Sequence, residues 1–168
     1  STILVKFTPS AVNTRSAVIN IASDDADEAT YNYAVEGTGT GTAEINLQGN
    51  SNDIADGDVT AGTANNTDFG FVHVGSTKTK SFVIQNTGLL ALSVSSVTFS
   101  GANASEFTLS AGTFPVTVAP GSNQPFSVNF QPTAAGTRNA KITIINTDND
   151  ESTYDFSLQG DGVVTTGV

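Results

Sequence analysis

Three stretches near the start of the chain alternate apolar and polar residues: Ile3-Val5-Phe7, Ala17-Ile19-Ile21 and Tyr31-Tyr33-Val35. A period of two puts every second side chain on one face, the signature of a half-buried β-strand. Three similar runs close the chain, at Phe126-Val128-Phe130, Ala140-Ile142-Ile144 and Tyr154-Phe156-Leu158. Between them lie Phe69-Phe71, Phe82-Ile84, Leu92-Val94, Val97-Phe99, Phe107-Leu109 and Phe114-Val116-Val118, punctuated by Asn86-Thr87-Gly88 and Pro120-Gly121. Short strands at such spacing, with turn residues between them, predict an all-β, two-sheet antiparallel sandwich of seven to eight strands per unit.

The opening and closing runs are copies of one text. Residues 2–39 align without a gap on residues 125–162, with 16 identities in 38 positions, including Phe7/Phe130, Pro9/Pro132, Arg15/Arg138, Tyr31/Tyr154 and Gly37/Gly160. A fixed offset is the mark of a repeat array. The expected organisation is therefore tandem immunoglobulin-like β-sandwiches with the first unit incomplete. Residues 1–49 hold the last strands of one unit, 50–67 an acidic Gly/Asn/Asp linker, 68–162 a complete unit, and 163–168 the start of another linker or a tail. A partial unit exposes strand edges that invite pairing. Neighbouring copies of the repeat, in the same chain or another, are the expected partners.

The stretches "DFGFVHVGSTKTKSFVIQNTG" (68–88) and "VNFQPTAAGTRNAKITIINTDNDESTYDFSLQGDG" (128–162) resemble the ASH or Hydin-like immunoglobulin-type domain, in the form repeated in bacterial secreted proteins of the choice-of-anchor D kind. The carriers are Phe130 and Pro132, Gly136, the Ile142-x-Ile144 pair and the Asn86-Thr87-Gly88 turn. In the earlier copy Asn13 stands where Gly136 stands later, an exchange that suits a turn with positive φ. The resemblance implies surface-exposed or secreted arrays acting as stalks, scaffolds or adhesive modules rather than catalysts. Two alternatives stay open: a filament subunit completed by strands of its neighbour, and a module that binds cell-surface glycans beside a surface enzyme.

Charge narrows the partners. The chain has 16 acidic and 6 basic side chains and a net charge of −10. No Lys or Arg falls between residues 16 and 77, where ten acids lie. Such a surface repels phosphate backbones and anionic membranes, and no apolar run approaches the ~20 residues of a membrane span. Cysteine is absent and His73 is the single histidine, which argues against zinc chemistry and a Ser-His-Asp triad. His73 alternates in phase with Phe69 and Phe71 and reads as a satisfied edge or core residue.

Calcium is the one cofactor the acids suggest. Asp24, Asp25, Asp27 and Glu28 sit between two strands, Asp148, Asp150 and Glu151 sit at the same place in the later copy, and Asp53, Asp56 and Asp58 crowd the linker. Ca²⁺ takes about 6–8 oxygen ligands of this kind. The competing reading is that Asp and Asn favour turns without any metal. Arg15 and Arg138 are expected in structural ion pairs. Tyr31 and Tyr154 are expected to bury their rings and reach outward with their hydroxyls.

Overall fold

The computed structural model describes residues 2–164, and the chain divides into two units, Ser1–Gly41 and Thr42–Val168. No helix among the described residues is long and apolar enough to cross a membrane.

In the first unit, β1 (Asn13–Ala22) and β2 (Thr30–Gly39) form an antiparallel two-stranded sheet. Asn13 opens β1 with φ +80°, the left-handed conformation expected of it, and Gly136 adopts φ +100° at the matching place. The run Ile3-Val5-Phe7 forms no strand, against expectation. Its later copy is held by a neighbouring strand on either side, and among the described residues of the first unit no strand pairs with it. An extended segment without a ladder partner has nothing to fix it as a strand.

The second unit is the sandwich. One sheet has the order β4-β3-β6-β10-β8, from β3 (Ile45–Gly49), β4 (Asn52–Ile54), β6 (Lys78–Asn86), β8 (Phe107–Ala111) and β10 (Asn123–Phe130). The other has the order β5-β12-β11-β7-β9, from β5 (Asp68–His73), β7 (Leu92–Ser100), β9 (Val116–Val118), β11 (Gly136–Asn146) and β12 (Thr153–Val163). A single 3₁₀ turn, Ala104–Glu106, leads into β8. Alternating residues of both sheets meet in one core, where Phe69, Phe82, Phe107, Phe126, Phe130 and Phe156 are fully buried. Phe130 stacks on Phe107 at 4.7 Å between ring centroids and meets Phe69 at 5.6 Å.

Five details depart from the pattern read in the sequence. Residues 45–54 belong to this unit, not to the one before, so the border lies at 41/42 rather than after residue 49. Residues 50–67 are not a free linker: besides containing β4, they run beside β12, with Gly57 N–H on Asp155 O at 2.7 Å, Ser157 N–H on Asp58 O at 2.8 Å and Gln159 N–H on Thr67 O at 3.0 Å. Attachment through main-chain groups leaves no trace in side-chain periodicity. Pairing is not wholly antiparallel, because β5 lies parallel to β12. And β7 is one strand where two were expected: its register on β11 slips between Ile145 and Asn146, an irregularity that lets both Val94 and Val97 face the core. β12 continues to Val163, one residue beyond the expected end. The remaining tail, 165–168, lies outside the described residues.

A similar slip sits in β5. Gly70, at φ +62°, lies where the pairing with β12 jumps from Asp68↔Gln159 to Phe71↔Asp161. Alternation is reset there, so Phe69 is buried, Phe71 is 76% exposed and Val72 is buried again. His73 consequently ends the strand on the exposed face and is not a core residue.

Candidate functional site

The two acidic connections are built alike. In the later copy Asn146 N–H bonds Ser152 O at 3.0 Å, Asn146 Nδ2 donates to Glu151 O at 2.9 Å, Asp148 N–H donates to Asn146 Oδ1 at 2.7 Å and Asp150 N–H to Asp148 Oδ1 at 3.3 Å. In the earlier copy Ser23 N–H bonds Ala29 O at 3.0 Å, Ser23 Oγ donates to Glu28 O at 2.9 Å, Asp25 N–H donates to Ser23 Oγ at 3.3 Å and Asp27 N–H to Asp25 Oδ1 at 3.3 Å. Side-chain oxygens take the amides that a tight connection leaves without a ladder partner, and Asp, Asn and Ser are the residues with that reach. The bonds from Asp27 hold Asp25 below its ordinary pKa.

The later turn has one contact more. Asp148 is buried, at 2% exposure, and its Oδ2 accepts Ile45 N–H at 2.7 Å, so the turn grips the entry of β3. This brings Glu44, which no pattern in the sequence marks, to Asp148 and Asp150, with one carboxylate oxygen of each within 4.8 Å of the others. Asp148 foremost, then burial and Asp150, raise the pKa of Glu44; burial first, then Asp56 and the same acids, raise that of Glu151. Of the ten acids expected to bind calcium, only Asp148 and Asp150 join this group, with Glu151 beside it. Asp53 accepts from Asn46 Nδ2 at 3.0 Å and Gln48 Nε2 at 2.8 Å, bonds that lower its pKa. Asp56 accepts Asp155 N–H at 2.7 Å and Asp58 accepts Thr60 N–H at 2.9 Å, fastening the polar run to β12 and to itself. Asp24, Asp25, Asp27 and Glu28 lie in the first unit. Glu44, Asp148 and Asp150 offer a divalent cation three carboxylates, two oxygens of which already accept amides, so carbonyls and water would supply the rest.

The arginine has the partner its position suggested. Arg138 Nε lies 3.6 Å from Glu106 Oε2 and 3.2 Å from Ala134 O, which accepts its proton. Glu106, 6% exposed, also receives the amide and hydroxyl of Thr133 on Oε1, while its buried Oε2 accepts no hydrogen bond and is compensated by the Arg138 charge alone. Arg15 has no carboxylate within ion-pair distance among the described residues, so its expected pair is not formed. Lys141 pairs with Asp155 at 2.7 Å. Tyr154 is buried as expected, but its hydroxyl points inward and donates to Ile54 O; burial pushes its pKa up to about 12. Tyr31 stays 56% exposed.

Comparison with known proteins supports the fold. A family model described as HYDIN/CFA65/VesB-like, Ig-like domain matches residues 63–161. No curated protein matches the chain. Among solved structures, a protein of unknown function from Porphyromonas gingivalis W83 superposes with a TM-score of 0.53 at 15% identity, covering 94% of this chain and 70% of that one. The human CEP192 ASH/PapD-like domain 7 gives 0.47 at 14% identity over 74% of this chain and 89% of that one. The Vibrio cholerae VesB protease gives 0.46 at 15% identity, over 72% of this chain and only 31% of the protease.

Proposed function

We infer the function from one premise: the chain belongs to the HYDIN/CFA65/VesB-like family of Ig-like domains. We propose that it is a non-catalytic structural segment of a bacterial cell-surface or secreted protein of the choice-of-anchor D kind, a stalk or scaffold made of the same module in series. One observation carries this reading. The β1–β2 and β11–β12 hairpins share a register, with Asn13↔Gly39 answering Gly136↔Gly162 and Ile21↔Tyr31 answering Ile144↔Tyr154, at a constant offset of 123 (136 − 13). A chain that writes one hairpin twice at a fixed interval uses it as a spacing element. The buried polar groups point the same way: Asn86 donates to Leu90 O and Val118 O and accepts from Gly88 N–H and Glu44 N–H, which ties the unit's entry to its interior.

Stretching a polyprotein of serial copies of residues 42–164 in a force microscope tests it. Each unit should resist and then open in one step, releasing about 400 Å of chain, since 123 residues extend to ~3.4 Å each. Featureless extension without unfolding steps would refute a role under tension.

A further inference from the structure

Strand β7 is covered unevenly. On one side β11 follows it as far as Ser100; on the other β9 pairs only with Leu92–Val94, and among the described residues no strand or bridge meets 96–100 there. Beyond the slip at Ser95 this stretch keeps unbroken register on β11, from Ser96↔Ile145 to Ser100↔Lys141. Such an edge offers alternate N–H and C=O groups to another chain. The outermost strands of the two sheets carry devices that discourage this: Asp53 in β4, Asp68 and the Gly70 slip in β5, an extra residue at Ser110 in β8, and Pro115 and Pro120 around the three-residue β9. Residues 96–100 have neither charge nor proline nor bulge.

Beside the bare stretch lies a cleft. Between β8 and β9 the chain turns at Gly112, φ +96°, and leaves next to β7 a space of about 380 Å³ lined by Ser96, Val97, Leu109 and Phe114. Leu109, Phe114 and Phe99 pack on the core but are only partly buried. The surroundings are neutral. Of the 57 residues from 81 to 137, Glu106 alone is charged, and it is buried against Arg138. Lys141, opposite Ser100 on β11, is held by Asp155 at 2.7 Å. On a chain of net charge −10, a second copy can approach this edge without facing acids.

We propose that residues 96–100 pair antiparallel with the same residues of a second copy, about a two-fold axis at Thr98. The stretch reads Ser-Val-Thr-Phe-Ser, polar and apolar in the same order from either end, as a self-complementary edge requires. Thr98 then lies opposite Thr98 of the partner subunit, Ser96 opposite the partner's Ser100, and Val97 opposite the partner's Phe99. The incoming ring meets the cleft that Val97 lines, and an aromatic against a β-branched residue is a favourable cross-strand pair. Main-chain bonds between the two edges join the β5-β12-β11-β7-β9 sheets of two molecules and give the proposed scaffold a lateral partner of its own kind. The inference stands on residues 92–118 and not on the tandem arrangement or on whether a unit bears force, so failure of either test leaves the other reading intact.

Sedimentation velocity of the 168-residue chain tests it. A monomer–dimer equilibrium with a dissociation constant of about 0.1 mM is expected. It should tighten about tenfold as NaCl rises from about 0.01 M to about 1 M, because salt screens only the repulsion between acidic copies. Thr98→Lys and Thr98→Glu should each be monomeric alone, with like charges opposite each other, and should form a heterodimer when mixed. Because Thr98 is exposed, both should keep the parent melting curve. In this cysteine-free chain Thr98→Cys should form a disulfide-linked dimer in mild oxidant, since opposed antiparallel residues lie about 4.5–5.5 Å apart, and should do so about tenfold faster than Thr108→Cys on the exposed edge of β8. A chain monomeric to about 1 mM would overturn the proposal and leave the edge to a strand of a different protein. Association that salt weakens, a dimer that persists in Thr98→Lys, or equal crosslinking of the two cysteine variants would each overturn it as well.

Discussion

The internal copy provides a controlled pair of perturbations, Phe130→Ala and Phe7→Ala. The two rings occupy equivalent positions beside equivalent glycines, but Phe130 is sealed at 0% exposure between Phe69 and Phe107 whereas Phe7 is 48% exposed. Full burial of a phenylalanine is worth about 1.5–3 kcal/mol in transfer alone. Two ring contacts and the cavity left in a packed core bring the cost of Phe130→Ala to about 3–5 kcal/mol. Phe7→Ala forfeits roughly half the transfer term and leaves no closed cavity, which amounts to about 1 kcal/mol or less. Urea denaturation followed by far-ultraviolet circular dichroism should show a large drop in midpoint at unchanged slope for Phe130→Ala, and a slight one for Phe7→Ala. In a heating scan the former corresponds to a loss of about 10–20 °C. Equal losses in the two copies would mean that burial does not set the cost, and would refute the reasoning.

The glycines beneath these rings should follow suit: Gly160→Ala, whose Cβ would lie 2.3 Å from Phe130, should cost about 1–3 kcal/mol by thermal melting, and Gly37→Ala, beneath an exposed ring that can swing away, close to nothing. Asn86→Ala removes a buried amide that makes four hydrogen bonds and should destabilise the second unit by about 2–4 kcal/mol in urea titration. Glu44 has a folded pKa above the ordinary 4.5, so its contribution is fully present below pH 4.5 and is lost as pH rises through the folded value; Glu44→Gln should therefore raise the melting temperature at pH 7 and flatten its fall above pH 4.5. Millimolar Ca²⁺ should act in the same direction as protonation on the parent chain and not on Glu44→Gln, and a melting temperature identical in Ca²⁺ and EDTA would dismiss the calcium reading.

The residues whose role is carried by side-chain alternation were legible beforehand: Phe82, Ile84, Phe126, Ile142, Ile144 and Phe156 all face the core from the strands assigned to them. So was the positive φ of Asn13, because few side chains tolerate it. Main-chain events were not. The bulge at Gly70 inverts the faces of Phe71 and Val72, and the slip between Val94 and Val97 divides one strand into two apparent ones. The clamp of residues 55–67 on β12 works through amides and carbonyls, and those residues show only turn chemistry in sequence. Glu106 stayed hidden for another reason: it sits in the 3₁₀ turn before β8 while its ion-pair partner, 32 positions away (138 − 106), lies on β11, and nothing local marks it.

The acidic turns show how one spacing serves two ends. In both copies the acids take the amides of their own connection, Asp25 from Asp27 and Asp148 from Asp150, so turn formation alone accounts for their recurrence. The later turn comes to resemble a metal site through a separate cause: Asp148 also holds the amide of Ile45, and Glu44 precedes Ile45 in the chain. The three carboxylates thus meet because a strand entry is being gripped, and the raised pKa of Glu44 reflects the repulsion that this grip imposes. A cation bound there would relieve a strain the fold already bears rather than build the turn. By that logic Glu44→Gln should leave the hairpin and its hydrogen bonds in place while removing the site's attraction for calcium.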